Sequence, residues 1–162
     1  MLLRRFLVLQ SLLLWQGGFL FYALVVVPVG TDLLGSATQQ GFVTQRVTLW
    51  LNRIGWVALA ILAMDALAMA PRRRLRFWLV VLATILNGLL TFWLHRALSE
   101  RLDFDEHRLR ERDGFYGLHR WYLLLSTIQW LAMFAYSLAT LSAWRAHDGH
   151  PGAALRWLFN RK

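Results

Sequence analysis

An all-α fold is predicted, a four-helix transmembrane bundle with both termini cytoplasmic, and three observations predict it. Hydrophobic residues make up 57% of the 162-residue chain. Four apolar runs are each long enough for a helix to cross a hydrocarbon core, which takes about 20 residues. Nearly all surplus positive charge falls in segments that an even number of spans places on one membrane face.

The first span is residues 6–29, part of a stretch from Phe6 to Thr31 with no formally charged side chain. Arg4 and Arg5 ahead of an apolar run also suit a secretory signal, but the run far exceeds the ~7–15 residues of a signal core, and no small-x-small cleavage site precedes Pro28. We read it as a retained anchor. The second span, residues 47–70, carries Arg53 and Asp65 within a Leu-, Ala-, Ile- and Trp-rich run. Residues 77–95 and 121–144 supply the third and fourth spans, and residues 145–162 form a basic cytoplasmic tail.

Connections are expected to differ in character. Residues 31–46 are read as a short, partly helical loop, and Pro71 as the stop of one helix ahead of the next. In residues 96–120 opposite charges alternate at helical spacing, as in Glu106 with Arg110. That pattern predicts a helix protruding beyond the third span, supported by i,i+4 pairs. Asp113-Gly114 is expected to break the chain before the fourth. In the tail, Trp157, Leu158 and Phe159 are expected to insert into the cytoplasmic surface of the bilayer.

Charge sets the orientation. Arg4, Arg5, Arg72, Arg73, Arg74, Arg76, Arg145, Arg156, Arg161 and Lys162 share one side with Asp148, and the arginines and acids of the other side cancel. The basic side is expected to be cytoplasmic, in the plasma (inner) membrane. A pI near 11.4 would otherwise suggest nucleic acid. Here the cations are short juxtamembrane clusters, with Arg72, Arg73, Arg74 and Arg76 read as lipid-headgroup contacts, and no nucleic-acid partner is expected. The chain has no cysteine, which excludes disulfides and thiolate metal sites. Its nine Trp are read as anchors near span ends.

Ionisable and polar side chains inside spans are the functional candidates. Arg53 and Asp65 lie on one helix but about 18 Å and roughly 120° apart, so they do not pair with each other. Asp65 is expected to lie against Arg72, Arg73 or a neighbouring helix. Thr84, Asn87, Thr91 and His95 form one stripe on the third span, and His119, Tyr122, Ser126 and Gln129 another on the fourth. Gln16 sits beside Gly17 and Gly18. The plain reading is interhelical hydrogen bonding with small residues at the contacts. The sharper one is a polar crevice opening outward and ending in His95, His119 and Arg53. His95 and His119 mark the outer ends of consecutive spans, a placement suited to haem or copper ligands; His107 is the one obvious third candidate.

Trp15-Gln-Gly-Gly18 with Pro28, Leu51-Asn52-Arg53-Ile54-Gly55, and Phe115-Tyr-Gly-Leu-His119-Arg120 together resemble the four-span family of unknown function related to transmembrane protein 205. The likeness spans about residues 8–143. It implies an integral membrane bundle, and a more distant similarity to copper-resistance membrane proteins implies copper handling. His119 is the polar landmark carried over.

The function expected is therefore non-enzymatic: an accessory subunit or scaffold in the lipid bilayer, with a membrane-protein partner or as a homo-oligomer. Ser126 and His119, seven residues apart on one helix with no acid nearby, do not make a nucleophile–base pair. The alternatives are haem or copper handling through His95 and His119, and transport of a small solute or ion along Gln16, Thr84, Asn87 and Thr91 with Asp65 as the protonatable group.

Overall fold

A computed structural model describes residues 1–68, 72–103, 108–109 and 112–149. Four helices, α1 (Leu2–Leu34), α2 (Ala37–Ala68), α3 (Arg73–Ser99) and α4 (Arg112–Asp148), are each long and apolar enough to cross a membrane. They run up, down, up and down. α1 packs on α2, α2 on α3 and α3 on α4, so the order around the bundle follows the chain. The α1–α4 seam that closes the ring is the least packed, and the chamber described below lies along it.

Helix α1 is not regular. Its backbone widens into π turns at Leu13–Gly17 and Tyr22–Val26. The second lies immediately before Pro28, whose ring would clash with the carbonyl of residue 24 in an unbroken α-helix and which has no N–H to donate; a wider turn there relieves both conflicts. Gly35, at φ 63°, ends α1 in the left-handed conformation and its N–H bonds to Thr31 O at 3.0 Å, the usual glycine stop. A third π turn, Leu89–Leu94, interrupts α3.

Three expected connections are corrected. The first loop shrinks to Gly35 and Ser36, because α2 starts at Ala37 instead of 47; the Ser36 hydroxyl accepts from Gln39 N–H, which suits a serine N-cap. The third span does not protrude as a long helix. α3 ends at Ser99, and Leu102–Asp103 (β1) pairs antiparallel with Arg108–Leu109 (β2), so the chain folds back where the charges alternate. Arg96 and Glu100 form an i,i+4 pair at 3.1 Å, while the expected pair of Glu106 with Arg110 lies outside the described residues. Asp113-Gly114 does not break the chain, since α4 begins at Arg112 and passes through both. His107, Arg110, Glu111, Pro71 and the tail from 150 onward, with Trp157, Leu158 and Phe159, lie outside the described residues.

The core is narrow and built on small residues. Ala58, Ala66, Ala83, Ala139 and Ala143 are buried between helices, with Val8, Leu12, Leu59, Leu62 and Met133 around them. Leu90, Leu94, Leu98 and Tyr122 form a second cluster between α3 and α4 near the loop end. Outward faces are apolar instead of polar: Leu13, Leu24, Val57, Met64, Phe92 and Leu138 are exposed, as in a bundle whose solvent is hydrocarbon. Of the tryptophans, Trp50, Trp78, Trp93 and Trp121 are exposed, whereas Trp15 and Trp144 are core residues and not anchors.

Candidate functional site

Polar side chains occupy the interior in three layers. The first, at the end where α1 begins and α4 finishes, centres on Asp65 of α2 and Arg76 of α3, both fully buried. Arg76 Nη2 donates to Asp65 Oδ2 and Arg76 Nε donates to Thr140 Oγ1 at 3.1 Å. Tyr136 of α4 lies against the guanidinium, 5.4 Å from ring centroid to Cζ, and donates from its hydroxyl to Leu62 O at 3.0 Å. Arg4 of α1 brings Nε to 3.2 Å from Asp65 Oδ1. One carboxylate thus joins all four helices. Near it, Arg5 makes two 2.7 Å bonds to Asp148 and lies over Trp144, which ties the first helix to the last.

This layer corrects the expectation for Arg76. It was grouped with Arg72, Arg73 and Arg74 as a headgroup contact. Those three are exposed, but Arg76 turns inward as the partner of Asp65. Helical phase is the reason: Arg76 is one turn beyond Arg72 and one turn before Val80, in register with the buried row Val80, Ala83 and Asn87. Neither Arg72 nor Arg73 pairs with Asp65 among the recorded contacts; Arg76 and Arg4 do. Nor does Arg53 meet Asp65. It points out of the bundle over the Trp50 ring, 4.9 Å from the centroid, and takes no part in lining the crevice.

The middle layer is a chain of hydrogen bonds through the two expected stripes. Asn52 Nδ2 donates to Tyr122 Oη at 3.1 Å, and Asn87 Nδ2 donates to Asn52 O at 3.2 Å. Gln129 Nε2 donates to Ala83 O at 3.0 Å and to Asn87 Oδ1 at 3.2 Å. On the seam, Gln16 Nε2 donates to Trp130 O at 3.1 Å. Asn87, Gln129, Tyr122 and Gln16 are therefore interhelical. Thr84 and Ser126 are not: each hydroxyl donates to a carbonyl one turn back in its own helix. Thr91 Oγ1 is buried without a partner. Tyr122→Phe should lower stability by about 0.6 kcal/mol, the average for such bonds in membrane bundles, as read from the unfolding midpoint in mixed micelles.

The third layer, at the loop end, is a cavity of about 360 Å³. All four helices wall it, and both His95 and His119 line it. The two histidines are thus brought to one chamber. Each has a protein neighbour: His119 stacks on Phe115 at 6.0 Å and 6°, and His95 Nε2 is 3.4 Å from Gln45 Nε2. No group of three or more His, Cys, Asp or Glu gathers among the described residues. Among the described residues the two imidazoles have no third His, Cys, Asp or Glu beside them, short of the three protein ligands of an open metal centre.

Sequence reasoning missed the chamber's other polar residues, Tyr22 of α1 and Gln40, Thr44, Gln45 and Thr48 of α2. Tyr22, Gln40 and Thr48 are buried. Gln40, Thr44 and Thr48 do follow one another at four-residue spacing, a signal hidden while residues 31–46 were read as a loop. Buried polar atoms without partners generally cost about 1–3 kcal/mol each. The Tyr22 hydroxyl, both amide atoms of Gln40 and Gln45 Oε1 are such atoms, meeting no partner at hydrogen-bond geometry.

Fold and interior together define a class: an all-helical four-helix bundle of membrane-spanning proportions with a polar, ion-paired interior. No family model, no curated protein and no solved structure matches the chain.

Proposed function

We propose that this chain is a non-enzymatic, multi-pass protein of the plasma (inner) membrane, with both termini cytoplasmic, that serves as an accessory subunit or scaffold. Kinship with the four-span family related to transmembrane protein 205 belongs to the same proposal. The observation that carries it is the way the inner two layers are knitted. Asp65, Arg76, Tyr136 and Thr140, then Asn52, Asn87, Gln129 and Tyr122, are engaged with one another across helix boundaries. A transport route needs polar groups free to exchange partners with a passing solute, and discontinuous helices with exposed termini at the site. Here the helices run through, and the polar groups fasten them. Ser126 hydrogen-bonds Tyr122 O, which argues against a nucleophilic role.

Two measurements test this. Protein reconstituted in liposomes should pass protons and small solutes no faster than empty liposomes; flux that is lost in Asp65→Asn would replace the scaffold with a transporter. Native mass spectrometry of gently extracted protein should show a fixed assembly, with a second membrane protein or with further copies. A strict monomer would defeat the subunit reading.

A further inference from the structure

The chamber at the loop end has features that helix fastening does not require. Its walls hold two nearly buried side chains with unused hydrogen-bonding capacity: Tyr22, 6% exposed, and Gln40, 4% exposed. A carboxamide has two donor hydrogens and two acceptor lone pairs, and both polar atoms of Gln40 are without partners. Gln45 Nε2 donates to Ser99 Oγ at 2.9 Å, while Gln45 Oε1 has no partner. Thr31, Thr44, Thr48 and Ser126 each spend their donor hydrogen on a carbonyl of their own helix, so they have none to give to Gln40 Oε1 or Gln45 Oε1, although Thr44 and Gln40 lie close to the Tyr22 hydroxyl.

The lining also restricts what fits. It contains no Asp, Glu, Lys or Arg, so an ion would enter without a counter-charge, which is prohibitive in a low-dielectric interior. The wall also holds the aromatic rings of Phe19, Phe115, Tyr116 and Tyr122 and the aliphatic Val27 and Leu98. The parallel stack of Phe115 on His119 offers flat surfaces of the kind against which a ring packs. A volume of about 360 Å³ is within the usual range for small-molecule sites, about 300–1,000 Å³. Access is lateral. Ala23 of α1 and Tyr116 and Leu123 of α4 line the chamber yet are exposed on the outer surface, across the loosely packed seam.

We propose that this chamber binds an uncharged, ring-bearing amphipath with a hydroxyl group, entering from the apolar phase between α1 and α4. A hydroxyl both accepts, from Gln40 Nε2 or Tyr22 Oη, and donates, to Gln40 Oε1 or Gln45 Oε1. One such group accepts from an orphaned donor and gives its single hydrogen to one of the two orphaned acceptors. The ring lies against the aromatic wall and an alkyl chain trails through the seam.

The probe is 4-octylphenol, titrated calorimetrically into the full chain in phosphatidylcholine nanodiscs. Expected is saturable one-to-one binding, weakened about tenfold by Tyr22→Phe and at least as much by Gln40→Leu, each replacement removing a bond to the hydroxyl. The charged analogues 4-octylbenzoate and 4-octylbenzylammonium should bind at least about tenfold more weakly. A diazirine-bearing octylphenol, photolysed on the unaltered protein, should label the segments around Tyr22 and Phe115–Tyr116; this arm does not depend on any variant folding. Uptake equal to that of empty nanodiscs, label spread over the exposed apolar belt, or equal binding of the charged probes would overturn the proposal.

Discussion

Asp65→Ala should destabilise the bundle by about 3–5 kcal/mol, the range found when one member of a buried ion pair is removed and the other is left behind. The loss is large because Arg76 is fully buried, with Thr140 and Tyr136 as its only other recorded partners. Neither neutralises a guanidinium, and Arg76 Nη1 already has no partner. Arg76→Met should be milder. It leaves Asp65 with Arg4, whose side chain is 34% exposed and able to follow the carboxylate. The double replacement Asp65→Leu, Arg76→Met should recover much of the loss, since the desolvation of both charges disappears with them. Reversible unfolding of each variant in mixed micelles measures all three. If Asp65→Ala proves no worse than Arg4→Gln, the carboxylate is not the centre of the layer.

Gly55→Val should cost about 1–3 kcal/mol through overpacking. A Cβ at Gly55 would stand 2.8 Å from Cε2 and Nε1 of Trp15, and Trp15 is 7% exposed and set in the core cluster. The indole is held in a cluster with Val8, Leu12, Leu59 and Met133, and the cavity it lines, about 20 Å³, is too small to take the displaced ring. Trp15→Leu in the same chain should therefore restore part of the stability, while Trp15→Leu alone should lower it. The unfolding midpoint of the pair against the two single variants decides this, and strictly additive losses would mean that the two positions do not press on each other.

Much of the bundle was legible because hydropathy and length speak directly about spans. Residues 77–95 and 121–144 fall inside α3 and α4, and the Asn87 and Gln129 stripes do face each other, because helical period fixes which side chains share a face. What was not legible came from features with weaker local signals. Arg76 sits in an arginine cluster, and its inward turn depends on the phase at which α3 starts after the turn at Arg72, itself left-handed at φ 53°. Composition cannot report that phase. The helical start at Ala37 was obscured by Gly35, Ser36, Thr38 and Gly41, of types that helix propensity disfavours; Thr38 and Gly41 here line the chamber together with Gln40, Thr44 and Gln45. Arg53 has a side chain long enough to snorkel, and it does lie outside, over Trp50, instead of ending the crevice.

The joint between α1 and α4 has a consequence for how the molecule is made. Its fastenings, Arg5 with Asp148 and Gln16 with Trp130, link residues separated by 143 and 114 positions, whereas the other three seams around the ring join helices that are consecutive in sequence. Contacts at such separation form late, since the loop entropy between them must be overcome first. Helix α1 is therefore made before the other three helices, yet its joint with α4 is the last of the four seams to close. Until the final helix arrives, Asp65 and Arg76 have each other, while Arg5 and Gln16 wait for a neighbour not yet synthesised.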